Sequence, residues 1–313
     1  IKMRGDKCWR NLTCLNYHHE TQPQPNPLSR TFHNLPQWMH KFETLSNHVV
    51  QLGVVWLLFA PQPIASYAAA LIVLSQGYLI MSGNYAWLNW LTLLLAFSGF
   101  SDGFFSQFIS FSVPSELANP TYFQGLVAAL AAVVIYMSIK PVKNMISPGQ
   151  RMNASFNNLH IVNTYGAFGS VTKERREIVV EGTTDETVDD STDWKEYEFK
   201  GKPGDTVRTP PQIAPYHLRL DWQMWFAAMK DVRSSPWFIR LVLKLLQNQK
   251  SVTGLLKTNP FKEEAPRFIR ARLYVYRFTT SAEKKESGRV WTRDFKYEYM
   301  QPQSLNNLSS VSF

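Results

Sequence analysis

Ile64-Ala-Ser-Tyr-Ala-Ala-Ala-Leu-Ile-Val-Leu-Ser-Gln-Gly-Tyr-Leu-Ile-Met81 runs through 18 residues without a charged side chain. It sits inside a longer stretch, between Glu43 and Asp102, that contains no Lys, Arg, Asp or Glu. A helix of about 20 such residues spans a hydrocarbon core of about 30 Å, so this segment predicts a membrane span. Working outward, three further apolar segments follow the same pattern: Val49 to Ala60, Ala86 to Phe100 and Tyr122 to Ile139. The last is long enough to cross. The other two are short, and their uncharged neighbours Asn47, His48, Ser101 and Gly103 either extend them into spans or leave them re-entrant or interfacial. Pro61 and Pro63 break the first segment from the second, and Ser82-Gly83-Asn84 breaks the second from the third. Trp56, Trp87, Trp90 and Tyr122, near segment ends, fit interfacial anchors.

Charge divides the chain in the same place. Of 33 basic residues, six precede Glu43 and 27 lie from Lys140 onward, where they are opposed by 19 acidic residues. The expected fold is therefore a membrane α-helical anchor of two to four hydrophobic helices plus an α+β soluble domain with a mostly antiparallel sheet. The expected boundaries are a strip at 1–43, membrane-embedded helices at 44–140 and a soluble domain at 141–313. The net charge of +9 is spread through mixed-sign runs such as Lys173-Glu174-Arg175-Arg176-Glu177. With no recognition motif beside it, the charge points to no nucleic-acid partner; the partner implied by composition is the lipid bilayer. The chain begins at Ile1 without an initiator Met or a secretory signal, which makes a fragment of a longer protein the expectation.

The soluble part reads as short strands at Leu159 to Tyr165, Arg176 to Glu181, Trp194 to Phe199, Arg272 to Phe278 and Val290 to Tyr299. Aromatic residues recur at every second position in Leu273-Tyr-Val-Tyr-Arg-Phe278 and Phe295-Lys-Tyr-Glu-Tyr299, the mark of half-buried strands. Helices are expected at Arg219 to Lys230, Pro236 to Gln249 and Val252 to Lys257. Trp222, Trp225 and Phe226 have the spacing of a stripe facing a core or a partner. The loops at 182–193 and 201–215 are solvent-facing by composition, and the first lacks the Gly and terminal Glu of a calcium loop.

An even number of crossings, two or four, puts the strip and the soluble domain on one side of the membrane. Lys41, Lys140, Lys143 and Arg151 alone would make that side cytoplasmic. Cys8 and Cys14 and the sequons at Asn11, Asn153 and Asn307 point instead to an oxidising, glycosylating compartment. From spacing alone the two cysteines are either a small loop disulfide or two free thiols; they are not a Cys-x-x-Cys redox site.

Motifs for catalysis are missing: no Gly-x-Ser-x-Gly elbow, zinc-protease helix, phosphate loop or dinucleotide fingerprint occurs. His18-His19-Glu20, His33, His40 and His48 gather ahead of the first span, but their spacings match no particular zinc geometry. No catalytic residue, cofactor or metal is therefore expected. Asp102 and Glu116 read as loop acids rather than an ion path.

Six blocks carry a close resemblance to a known family: Arg4-Gly-Asp-Lys-Cys-Trp-Arg-Asn-Leu-Thr-Cys14, Glu20-Thr-Gln-Pro-Gln-Pro-Asn-Pro27, Phe42-Glu-Thr-Leu-Ser-Asn-His48, His160-Ile-Val-Asn-Thr-Tyr-Gly-Ala-Phe-Gly-Ser-Val-Thr-Lys-Glu-Arg175, Tyr197-Glu-Phe-Lys-Gly-Lys-Pro-Gly-Asp205 and Pro215-Tyr-His-Leu-Arg-Leu-Asp-Trp-Gln-Met-Trp-Phe-Ala-Ala228. Ordered and spread along nearly the whole chain, they resemble the lipase maturation factor family. The resemblance implies a multi-pass protein of the endoplasmic reticulum membrane, or of the plasma membrane in a bacterial relative, with further spans upstream. It implies that the strip and the C-terminal domain are luminal, with Cys8, Cys14, Asn11 and Asn153 on the oxidising face. The implied partners are immature secreted homodimeric lipases of the lipoprotein lipase type, held during folding and dimer assembly. Client contacts are expected at Tyr165, Phe168, Tyr216, Trp222 and Trp225, or along a free strand edge. The alternatives are a membrane enzyme distantly like the vitamin K-dependent carboxylase superfamily, with its histidines at work, or a bacterial member of the family with an unrelated client.

Overall fold

The computed structural model describes residues 2–110, 120–151, 157–159, 161–162, 166 and 168–309. Short helices form the N-terminal strip: a 3-10 turn at Lys2–Arg4, then α1 (Lys7–Arg10), α2 (Leu15–Thr21) and α3 (Ser29–His33). Cys8 and Cys14 are joined as a disulfide, with Cα atoms 4.7 Å apart, and close the loop that carries exposed Asn11. The Pro-punctuated run 22–27 between α2 and α3 cannot continue a helix, because each Pro removes a backbone donor and restricts the residue before it.

Helix α4 (Gln37–Leu52) ends at Gly53 and passes into a 3-10 turn over Val54–Phe59. The apolar segment Val49 to Ala60 is thus the tail of one helix plus a turn, stopped by the prolines that follow. Next come α5 (Ile64–Ser82), α6 (Leu88–Phe97), α7 (Asp102–Phe105) and α8 (Thr121–Ile146). Two of these, α5 and α8, have the length and composition to cross a membrane. The ten residues of α6 rise only about 15 Å, half a hydrocarbon core. Ala65, Ala68, Ala69, Ile72 and Gln76 line the buried face of α5, where small side chains let α6 and the 3-10 turn approach closely. Leu126, Leu130, Ile135 and Tyr136 of α8 are exposed. So continuous an apolar surface is stable where lipid replaces water, which gives the chain a membrane location.

The C-terminal domain is built on a four-stranded sheet, in the order β2-β1-β3-β4, with every pair antiparallel. The strands are β1 (Arg175–Thr183), β2 (Lys195–Glu196), β3 (Phe268–Phe278) and β4 (Trp291–Ser304). In register, Ile178 faces Leu273 across β1 and β3, and Phe278 faces Trp291 across β3 and β4. Helices α9 (Arg219–Ala227), α10 (Pro236–Leu246), α11 (Lys250–Thr253) and α13 (Leu305–Ser309) complete the domain on one side of the sheet, while α12 (Ser281–Ser287) joins β3 to β4. Phe238, Leu241, Val242, Leu245 and Leu246 of α10 pack with Met224 of α9 onto Ile178, Val180, Ile269, Ala271 and Leu273. The turn into α12 is closed by a capping box between Thr280 and Glu283, and Gly288 ends that helix in the left-handed conformation that a Cβ would disfavour.

Two strand expectations are corrected. The described residues between Leu159 and Tyr165 form turns and bends. Trp194 to Phe199 shrinks to a two-residue β2, because Tyr197 and Glu198 leave regular pairing: Tyr197 N–H donates to Val180 and Glu198 bridges Thr258. Three helices also end earlier than their apolar periodicity suggests, α11 at Thr253 just ahead of Gly254.

The strip docks on the sheet domain at the start of β1 and at the turn that follows β3. Arg175, with no exposed side-chain surface, donates to the carbonyls of Glu20 at 2.8 Å, Gln22 at 2.5 Å and Pro23 at 3.2 Å, and pairs with Glu177 at 2.6 Å. Glu177 also holds Lys202 Nζ at 3.0 Å. Arg30 donates to the carbonyls of Thr279 and Thr280, and Glu20 accepts the Phe278 N–H at 2.6 Å. Asn84, in the turn after α5, uses its whole amide: it donates to the carbonyls of Pro25 and Pro211 and accepts from the N–H groups of Ile213 and Ala214. Arg4 donates to the carbonyls of Met145 and Ser147 at the end of α8. The strip, the turn after α5, the end of α8 and the sheet domain are therefore joined by direct contacts.

Candidate functional site

Where the strip meets α4, α5 and α6, a cavity of roughly 880 Å³ opens. Its walls are mostly apolar, including Trp9, Phe42, Ile72, Leu79 and Phe168; among its polar groups are His18 and His19 from α2, Glu43 from α4, Tyr78 from α5 and Asn89 from α6, with Lys2 and Tyr85 beside them. Apolar walls with a few convergent polar groups are the usual make-up of a ligand-binding cavity.

Local structure brings these side chains together. His40 and Glu43 stand three residues apart on α4 and so share a helix face. The α2 helix crosses that face and presents His19. His19 Nε2 lies 3.3 Å, and His40 Nδ1 3.2 Å, from the same oxygen, Glu43 Oε2. The other carboxylate oxygen accepts from the Tyr78 hydroxyl. His40 Nε2 lies 3.3 Å from the His33 carbonyl. His33 Nε2 in turn approaches Glu20 at 3.4 Å, which links this cluster to the Glu20 contact with the sheet.

Electrostatics follow from burial and partners. Burial alone would raise the Glu43 carboxyl, but hydrogen bonds from His19, His40 and Tyr78 and the His19 charge overcome it and hold the group at about 2. Burial lowers His18 to about 3, helped by the charges of His19 and Lys2, so this imidazole is neutral at any physiological pH. It lies parallel to the Tyr85 ring, with Nε2 3.1 Å from the Tyr85 hydroxyl. Burial also lowers His33 to about 4 and Lys2 to about 8, and raises Glu20. The cavity therefore presents one firmly ionised carboxylate among imidazoles, an arrangement able to bind a cation, position a polar ligand or relay a proton.

The other sequence-selected residues fall elsewhere. Tyr165 and Asn153 lie outside the described residues. Phe168, held at a φ of 59°, packs on His18 and Tyr85, and its carbonyl accepts from Trp9 Nε1 at 2.9 Å. Trp225 is half-buried and donates from Nε1 to the Thr21 carbonyl at 3.0 Å. Tyr216 and Phe226 are exposed, at 69% and 47%, and Trp222 lies half-buried beside Phe226. Asn307 is exposed on α13. Glu43 and Tyr78 were not singled out as functional from the sequence. The available signal was His40-x-x-Glu43 on a helical face; Tyr78 was indistinguishable from the apolar span around it.

Comparison with known proteins covers most of the chain. A model described as the lipase maturation factor transmembrane domain matches residues 1–107, and one described as the lipase maturation factor C-terminal domain matches residues 161–301. The chain is 42% identical to lipase maturation factor 1 of Bos taurus, over 98% of the chain and 59% of the relative. It is 41% identical to lipase maturation factor 1 of Homo sapiens, over 98% of the chain and 58% of the relative. Lipase maturation factor 2 of Mus musculus is 28% identical, over 96% of the chain and 57% of the relative. The chain thus spans less than two thirds of the length of the curated relatives it matches. No solved structure matches.

Proposed function

The chain belongs to the lipase maturation factor family, and on that premise we propose that it assists the folding, dimer assembly and maturation of secreted homodimeric lipases, of the lipoprotein lipase type, rather than catalysing a reaction. The observation that carries this is the similarity to lipase maturation factor 1 along 98% of the chain, through strip, membrane helices and sheet domain alike. Its compartment is the endoplasmic reticulum membrane, with strip and sheet domain in the lumen. The Cys8–Cys14 disulfide and the exposed sequon at Asn11 support that orientation, since both suit an oxidising, glycosylating space.

A maturation factor must hold apolar surface that a client has not yet buried. Tyr216, Trp222 and Phe226, around the start and outer face of α9, form the best surface for it. Aromatic rings there offer large contact area at little conformational cost. Trp225 ties the strip to α9 through the Thr21 carbonyl, while Phe168 packs on the strip's His18 at the cavity. Tagged chain solubilised in mild detergent is expected to co-precipitate newly made, monomeric lipase and to release it once the dimer forms. Tyr216→Ala combined with Phe226→Ala is expected to lower that recovery at least about tenfold, as loss of roughly 1.4 kcal/mol of contact energy implies. Equal recovery of native dimer, or none of either form, sinks the reading.

One observation favours a second reading, a membrane enzyme: His18, His19, Glu43, Tyr78 and Tyr85 converge on one cavity. Alanine at His18 and His19 would then abolish function while the protein still accumulates. Full function in those variants removes this alternative.

A further inference from the structure

We propose that His19, His40 and Glu43 form a binding site for a divalent transition-metal ion of the zinc type, holding α2 against α4 at the floor of the cavity. One ligand atom from each of His19, His40 and Glu43 lies within 4.8 Å of the other two. The spacing that serves their hydrogen bonds also suits a shared metal ion. Ligand atoms sharing a tetrahedral zinc ion, with bonds of about 2.0–2.1 Å, stand about 3.3–3.4 Å apart. The two contacts measure 3.3 and 3.2 Å and converge on a single oxygen.

The surroundings fit as well. The second carboxylate oxygen is engaged by Tyr78, which leaves Glu43 to bind through one oxygen. His40 has its remaining ring nitrogen at the His33 carbonyl, the kind of outer contact that orients a ligating imidazole. His19 Nδ1 has no hydrogen-bond partner among the described residues, so the polar anchoring of that buried ring comes from the cluster. Two imidazoles and one carboxylate are borderline donors suited to zinc, and they leave a fourth position. Because His19 and Glu43 line the cavity, that position is reached from it.

This inference stands apart from the lipase reading and is tested without a client. The full chain, purified in detergent through a tag free of histidine and stripped with chelator, is titrated with Zn²⁺ and separately with Co²⁺. About one ion per chain is expected, and Co²⁺ should give the intense visible absorption of a tetrahedral site. His40→Ala and Glu43→Gln should each weaken binding by at least about 100-fold, while His217→Ala, outside the cluster, leaves it unchanged. The wild-type cobalt spectrum does not depend on any variant folding. Absence of stoichiometric uptake of both ions by the wild-type chain overturns the proposal, as does undiminished uptake by both cluster variants.

Discussion

Arg175→Met is expected to release the N-terminal strip from the sheet domain, lowering stability by about 3–5 kcal/mol, the usual cost of breaking a buried ion pair from one side. Methionine fills much of the volume of the arginine stem but carries none of its donors. The carbonyls of Glu20, Gln22 and Pro23 lose the guanidinium that now binds them, and Glu177 keeps only Lys202 as its ionic partner in a site with no exposed side-chain surface. The Arg175 guanidinium also lies 5.6 Å from the Trp291 ring, a cation–π contact that methionine cannot replace. In detergent the thermal transition should fall by about 10 °C, on the scale of a few degrees per kcal/mol for a chain of this size. Trypsin should then cut at Arg30, whose side chain is now tied to Thr279 and Thr280. An unchanged melting temperature together with unchanged resistance at Arg30 would show that the strip is held by something else.

Phe238→Ala attacks a different joint. Phe238 is fully buried on α10 and meets Tyr299 of β4 edge-on, with ring centroids 5.4 Å apart. Truncation leaves a cavity between helix and sheet that the surrounding Met224, Leu245 and Leu246 fill only in part, at a cost of about 3–5 kcal/mol. Here the sheet domain itself should loosen, and strip and domain should lose protection together. With Arg175→Met, the strip should be cut while β3 and β4 stay protected. Hydrogen exchange of the β3 and β4 amides separates the two outcomes. Identical exchange patterns for the two variants would contradict the division into a docked strip and an independently cored domain.

The parts of this architecture that follow a simple period were readable in advance. The charge-free run became α5, and the alternating aromatics at 273–278 and 295–299 became β3 and β4. The limits of α10 and the two-residue β2 were less legible, because caps and irregular pairing decide them rather than hydrophobic pattern. β1 was only half legible for a physical reason. Its residues are buried on both faces, so Arg175 and Glu177 look like solvent charges in a mixed-sign run when they are in fact the bolt between strip and sheet. The cavity cluster was hidden differently. Its histidines were visible as a group, but the partner that organises them, Glu43, served only to mark where charge stops. No spacing rule joins His19 to a helix that begins at Gln37; the turn through Pro23, Pro25 and Pro27 does that. Trp222, Trp225 and Phe226 show the limit of a helical stripe: the same spacing yields one ring bonded to the strip and another facing outward.

We propose that this membrane-anchored assembly helps homodimeric lipases to reach their active state. The proposal is tested most directly in cells of the source organism from which the gene has been deleted, by measuring active dimeric lipase per lipase polypeptide synthesised. The ratio is expected to collapse while synthesis is unchanged, and re-expression of the gene is expected to restore it. A ratio unaffected by the deletion would contradict the proposal.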